Sequence, residues 1–240
     1  MNRKFLRHAT YYLEHIIFPV IFLIFAAMML TSFIDEMQHV KSLDLLRFSQ
    51  LLRYVFLFFF NILIAYFLYM TKSSTKVYPD RLSEVLIPII ATFWFFTYSL
   101  VEMIPVEMNR FFIPQEFFEI LIPFGVVVNL VGHGISIAGV LSLKKSFGIV
   151  TKVNEIITSG LYGVVRHPIY FGYLIMTLGF ICMTPRIIHF IVYSFSVIIQ
   201  VYRAKIEEEK LASASQDYRK YMKTVPFLIP DFVKLFKRNK

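Results

Sequence analysis

The sequence predicts an all-α integral membrane protein, and three observations carry that prediction. Of the 240 residues, 57% are hydrophobic and only 17% charged, so water is not the chain's only solvent. The apolar residues gather in stretches near the roughly 20 residues that a helix needs to cross hydrocarbon. None of these stretches alternates apolar and polar residues as a barrel strand does, and lipid offers backbone amides no other partner, so each span is helical.

Scanning on that basis gives about six spans, approximately Ile16–Ile34, Leu51–Met70, Val85–Val101, Ile120–Leu143, Ile169–Thr184 and Ile187–Tyr202. The first follows the basic stretch "MNRKFLRHAT" and is longer than a signal-peptide core, so it reads as an uncleaved signal anchor. The last two are short and separated only by "TPR", which predicts a tilted hairpin whose two ends emerge on one side. A helical C-terminal tail follows, expected to run without a break to the "TVPF" stretch. The chain thus divides into a plainly hydrophobic part, 1–143, and a polar-punctuated part, 144–240.

Lysine and arginine orient the bundle. Arg3, Lys4 and Arg7 precede the first span, Lys72, Lys76 and Arg81 follow the second, Lys144, Lys145, Lys152 and Arg166 follow the fourth, and the tail is basic. The other side has Lys41, Arg47, Arg53, Arg110 and Arg186 among the acids Asp35, Glu36, Asp44, Glu102, Glu107 and Glu116. Both termini are therefore expected in the cytoplasm, N-in/C-in. The net charge of +9 then reflects topology and attraction to anionic lipid, above all at the tail residues Lys234, Lys237, Arg238 and Lys240, and calls for no nucleic acid. A lone cysteine, Cys182, excludes an internal disulfide and a cysteine-built metal cluster, and no metal is expected.

The densest chemistry lies in "SGLYGVVRHPIYFGY", Ser159 to Tyr173. Pro168 disfavours helix at His167 and suits the first helical position, so the fifth span begins there, with Gly160 and Gly163 allowing a tight turn before it. That makes a helix N-terminus beside Arg166 and His167, suited to an anion, with Tyr162, Tyr170 and Tyr173 offering ring faces. The acids Glu207, Glu208 and Glu209 follow the sixth span, on a side that is otherwise basic. The hairpin brings them to the histidine cluster, so one pocket has an anion-binding end and an acidic end.

The string "SFGIV", then "TSGLYGVVRHPIYFGYL", a glutamine and "EE" at hairpin distance, and finally "YxxY" and "IP", resembles the isoprenylcysteine carboxyl methyltransferase family and the related phospholipid N-methyltransferases. The likeness covers roughly residues 144–230. It implies a membrane-embedded enzyme that uses S-adenosylmethionine at the cytoplasmic face, without a Rossmann domain. By position it assigns Gly160, Tyr162, His167, Pro168, Tyr170, Glu207 and Glu208 to the cofactor pocket. Arg166 and Glu208 become the catalytic candidates, with Arg166 projecting toward the bilayer to orient an acceptor carboxylate. Counting from Gln200 makes Glu207 and Glu208 the acidic pair, whereas counting back from Tyr218 makes it Glu208 and Glu209. Gly163 stands where the family usually has a bulkier residue.

The acceptor implied is lipophilic: an isoprenylcysteine-like carboxylate, or alternatively a phospholipid amine. A nicotinamide-dependent membrane reductase of the sterol-reductase kind and a non-catalytic scaffold are the other classes, the first disfavoured by acids where phosphates would need cations. Elsewhere, His133 is read as helix packing with a small-residue face of Gly132, Gly134, Ser136 and Ala138, and Asn61 and Asn129 as interhelical hydrogen bonds.

Overall fold

A computed structural model describes residues 3–39, 45–71, 77–101, 111 and 113–231. The expectations placed on Lys41, Asp44, Lys72, Lys76, Glu102, Glu107, Arg110 and the tail beyond 231 lie outside them. The described residues are helical apart from loops and two isolated β-bridges, Val77 with Val153 and Phe111 with Arg186.

α1 (Arg3–Tyr12), a π-helical turn (Leu13–Ile17) and α2 (Phe18–His39) form one continuous apolar helix. The widened turn comes directly before Pro19, which has no N–H with which to continue the ladder. α3 (Leu45–Met70) packs against α2. The expected third span is instead two short helices, α4 (Ser83–Phe93) and α5 (Phe96–Val101). The helix breaks at Trp94 and Phe95, where Trp94 Nε1 donates to the Val192 carbonyl at 3.2 Å and the Thr97 hydroxyl to the Trp94 carbonyl at 2.5 Å. Phe93, Phe95 and Phe96 all lie against Phe25, so aromatic packing onto α2 prevails over helix continuity.

α6 (Phe118–Leu143) and α7 (Pro168–Met183) make the tightest pair. A Cβ on Gly132 would stand 2.6 Å from Met176 Cα, and one on Gly179 would stand 2.4 Å from Asn129 N, so glycine is required at both. Gly134 has nothing within 4 Å, which corrects the small-residue face: it runs through Gly125, Gly132, Ser136 and Gly139. Positions two apart sit about 200° apart around a helix and cannot share a face. Asn129 does bridge helices, donating to the Met176 carbonyl at 2.8 Å. Asn61 does not; it donates to the Leu57 carbonyl one turn back in its own helix.

α8 (Ile187–Ala214) forms the expected hairpin with α7. The hairpin is asymmetric: α7 has 16 residues, while α8 is a continuous 28-residue helix that carries the glutamates as a direct extension of the span. The tail then breaks at Ser215, which is extended and whose hydroxyl accepts from Tyr218 N, capping a separate helix, α9 (Gln216–Thr224). Among the described residues, four helical segments, Arg3–His39, Gln50–Met70, Phe118–Leu143 and Ile187–Ala214, are long and apolar enough to cross a membrane.

The segments that charge counting assigns to one side do gather at one end. Arg3 pairs with Asp80 at 3.4 Å, Lys210 with Asp80 and Glu84 at 2.7 and 2.9 Å, and Arg81 with Glu209 at 3.4 Å. Glu14, fully buried, accepts from the amides of Ile149 and Val150 at 2.8 and 2.7 Å and pairs with buried Lys152, tying the N-terminal helix to the loop before the histidine cluster.

Candidate active site

At that end, three elements meet: the loop of residues 159–167, α8 one to two turns past its apolar stretch, and the segment from α9 to Pro230. Gly160 has φ +63°, a conformation that favours glycine, and opens the short 3₁₀ turn Gly160–Gly163. Gly163 has no such requirement; its backbone lies outside the left-handed region and a Cβ there would touch only the Thr158 carbonyl, at 3.4 Å. Pro168 occupies the first turn of α7 and His167 stands just outside it, as the sequence predicts.

Glu208 is the hub. Its carboxylate accepts Arg166 Nε at 2.6 Å, and His167 Nε2 lies 3.2 Å from the same oxygen. Glu207, one residue earlier, accepts the Tyr170 hydroxyl at 2.6 Å. Glu209 lies farther around the helix, exposed, on Arg81. Geometry therefore selects Glu207 and Glu208 as the acids that join the cluster. The rings of His167 and Tyr170 stack at 5.2 Å with only 5° between their planes, and the Arg203 guanidinium lies 4.8 Å from the Tyr170 ring centre.

Arg166 is not turned toward lipid, contrary to expectation. Its side chain is only 10% exposed, and its Nη1 donates to the carbonyls of Met222 and Val225 while Phe227 covers the guanidinium. The reason is local: the backbone amide of Arg166 is bonded to the Pro226 carbonyl at 2.9 Å, which seats the residue under the end of α9. Its charge is matched by Glu208 and by carbonyls that a helix C-terminus leaves free. Tyr221 completes this cover, its hydroxyl donating to the Tyr162 carbonyl at 2.6 Å. Burial, and then the Glu207 charge, hold the Tyr162 phenol well above the ordinary tyrosine range, and burial does the same for Tyr218 and Tyr221. These phenols are neutral near pH 7, and that of Tyr221 serves as a donor.

The cluster so built has two adjacent carboxylates, an imidazole, a stacked phenol and two arginines at the end of a membrane bundle. Residues 120–217 match the family model described as phospholipid methyltransferase. No curated protein matches the chain. The match takes in α6, which the sequence division leaves in the N-terminal part, as well as the loop, α7, α8 and the start of α9. It supports a membrane methyltransferase and leaves the acceptor open.

Sequence reasoning missed Arg203. It lies on α8 three residues after Gln200 and four before Glu207, so the three recur on one helical stripe, and that period was the available signal. It also missed the Glu14–Lys152 pair, signalled only by an acid at the edge of the first apolar stretch. His133 is buried in α6 with Nδ1 on the Asn129 carbonyl at 2.9 Å, consistent with packing.

Proposed function

We propose that this chain is a multi-pass membrane methyltransferase that transfers a methyl group from S-adenosylmethionine to a lipophilic acceptor, the carboxylate of an isoprenylcysteine-like molecule. One observation carries the reading: the fold brings the two consecutive acids of α8 into direct contact with the Arg-His-Pro loop and the first turn of α7, Glu208 on Arg166 and His167 and Glu207 on Tyr170, across about forty residues of sequence. The donor set suits this cofactor. Glu207 and Glu208 complement an ammonium or ribose hydroxyls, the start of α7 complements a carboxylate, and His167 and Tyr170 offer ring faces. Gly160, Tyr162 and Pro168 shape the turn around them. Bound there, the cofactor's sulfonium would supply an activated methyl group.

The residues then have little proton chemistry to perform. A carboxylate oxygen forms the new bond to the methyl carbon as the sulfur–carbon bond breaks, and no proton must be removed. Catalysis rests on orientation, exclusion of water and fixed charge. In this scheme Glu208 is a catalytic residue through its contact with the cofactor, and Arg166 is a positioning residue that fixes Glu208 and closes the α9 segment over it.

The matched family's description, phospholipid methyltransferase, favours a phospholipid as a second acceptor, and the atom we propose to take the methyl group there is a head-group amine. That acceptor needs a neutral nitrogen, for which His167 or a glutamate is the nearby base. Isotopically labelled methyl donor, supplied with lipid extract and followed by mass spectrometry, separates methyl ester from methylated amine. Calorimetric titration with S-adenosylmethionine and with reduced nicotinamide cofactor tests the enzyme class: binding of the first supports the proposal, and binding of the second alone, or of neither, refutes it.

We further propose that this end of the bundle faces the cytoplasm and that the basic tail contacts anionic lipid, with the second part of the chain, 144–240, as the cofactor-binding unit and the first as scaffold and acceptor groove. A cysteine placed at Ser213 in a Cys182→Ser variant should resist an impermeant thiol reagent in intact cells; labelling there would reverse the orientation.

A further inference from the structure

The cation left over in this site is Arg203. It is buried at 7% exposure, yet among the described residues no carboxylate lies within ion-pair distance of it. Its partners are neutral: Nη1 donates to Thr92 Oγ1 at 3.0 Å, Nη2 donates to the Ile149 carbonyl at 3.1 Å, and its plane lies against the Tyr170 ring. Glu207, one turn along α8, accepts the Tyr170 hydroxyl and makes no ion pair with Arg203. Lys210 on the same helix is treated differently: equally buried, it has two carboxylates. A buried guanidinium without a counter-charge is costly, and an arginine is the side chain best shaped to receive a planar or tetrahedral anion.

A second observation lies beside it. Gln200, one turn nearer the membrane core, donates Nε2 to the Ala91 carbonyl at 3.1 Å, next to the Thr92 that Arg203 holds, while its buried Oε1 has no hydrogen-bond partner. An unsatisfied acceptor beside an unneutralised cation is complementary to an anion with an N–H group close by. Both groups stand on α8 between its apolar stretch and Glu207, the side on which a head group carried by a lipid tail would approach the acids.

We infer that Arg203, with Gln200, binds the anionic head group of the lipophilic acceptor: a carboxylate beside an amide N–H, or a phosphate beside an amine. The inference rests on the methyltransferase reading and moves acceptor recognition from Arg166 to Arg203.

The test measures binding to the full chain in detergent, without cofactor, for two matched pairs of ligands. One pair is an S-prenylated N-acetylcysteine and its uncharged carboxamide; the other is a single-chain phosphoethanolamine lipid and the corresponding neutral monoacylglycerol. The wild-type protein should prefer the charged member of one pair by on the order of tenfold or more, and the preferred pair names the anion. Arg203→Gln should lose that preference. Arg203→Lys, which keeps the charge without the fork, should keep part of it, and serves if the glutamine variant does not fold. Thr92→Val, which removes only the tie to α4, should keep it whole. The inference is overturned if the wild type shows no preference in either pair, or if both Arg203 variants retain it undiminished. It is also overturned if Arg203→Gln instead loses S-adenosylmethionine affinity with acceptor preference intact, since the anion would then be the cofactor's. That last result leaves the methyltransferase reading standing, whereas failure of the wild type to bind S-adenosylmethionine sinks that reading.

Discussion

Glu14 and Glu208 are both buried acids that pair with a cation from a distant part of the chain, yet their surroundings differ in kind. Glu14 receives two backbone amides and one lysine, and the cluster is balanced. Glu208 shares its arginine with two carbonyls, touches an imidazole, has a second acid beside it, and sits just over one turn from a cation that no acid among the described residues neutralises. A balanced cluster of this kind ties the N-terminal helix to the loop before the histidine cluster. A cluster with capacity left over, made of groups that are expensive to bury, has a reason to exist only if something else binds there.

The comparison breaks first at Glu14. Glu14→Leu leaves Lys152 charged and two amides unpaired, so it should destabilise the protein by about 3–5 kcal/mol, seen as a large fall in melting temperature or loss of folded protein in detergent. A variant that melts like wild type would mean that the clasp is not structural. His167→Ala should lower melting far less than Glu14→Leu, and should lower S-adenosylmethionine affinity by about 0.5–1.5 kcal/mol, the usual worth of one hydrogen bond. The opposite pattern would make both clusters structural.

Smaller effects mark the edge of the site. Glu209→Gln removes an exposed pair with Arg81 and should change melting and cofactor affinity by about 0–1 kcal/mol at most, so its near-silence beside an effect at Glu208 sharpens the assignment of the pair. The smallest concerns pH. A hydrogen bond from Lys210 holds Asp80 below the ordinary carboxylate value, so its contribution is present above that ordinary value and is lost as pH falls through the folded one. Melting of Asp80→Asn against wild type should differ slightly at neutral pH and converge in acid; a gap that widens in acid would reverse the sign.

Much of this was legible in sequence because lipid leaves few choices. Span length and the absence of alternation predict helices, and Pro168 marks the start of α7 by covalent geometry alone. The single "TPR" turn was enough to join Arg166 and His167 to Glu208. What remained illegible depended on side-chain competition across the bundle. Hydropathy could not show that the aromatic rings from Phe93 to Phe96 would break the third span, nor that Pro226 would turn Arg166 away from lipid. Two acid-pair counts were possible along the chain; only the rotation of α8 separates Glu207 and Glu208 from Glu209.

The most direct test compares calorimetric titrations of S-adenosylmethionine into Glu208→Gln and wild-type protein, both checked for equal melting. Removing the charge while keeping the side chain's shape should weaken binding by about 1.5–3 kcal/mol. Equal affinity in the two proteins would remove Glu208 from the cofactor site and contradict the account at its centre.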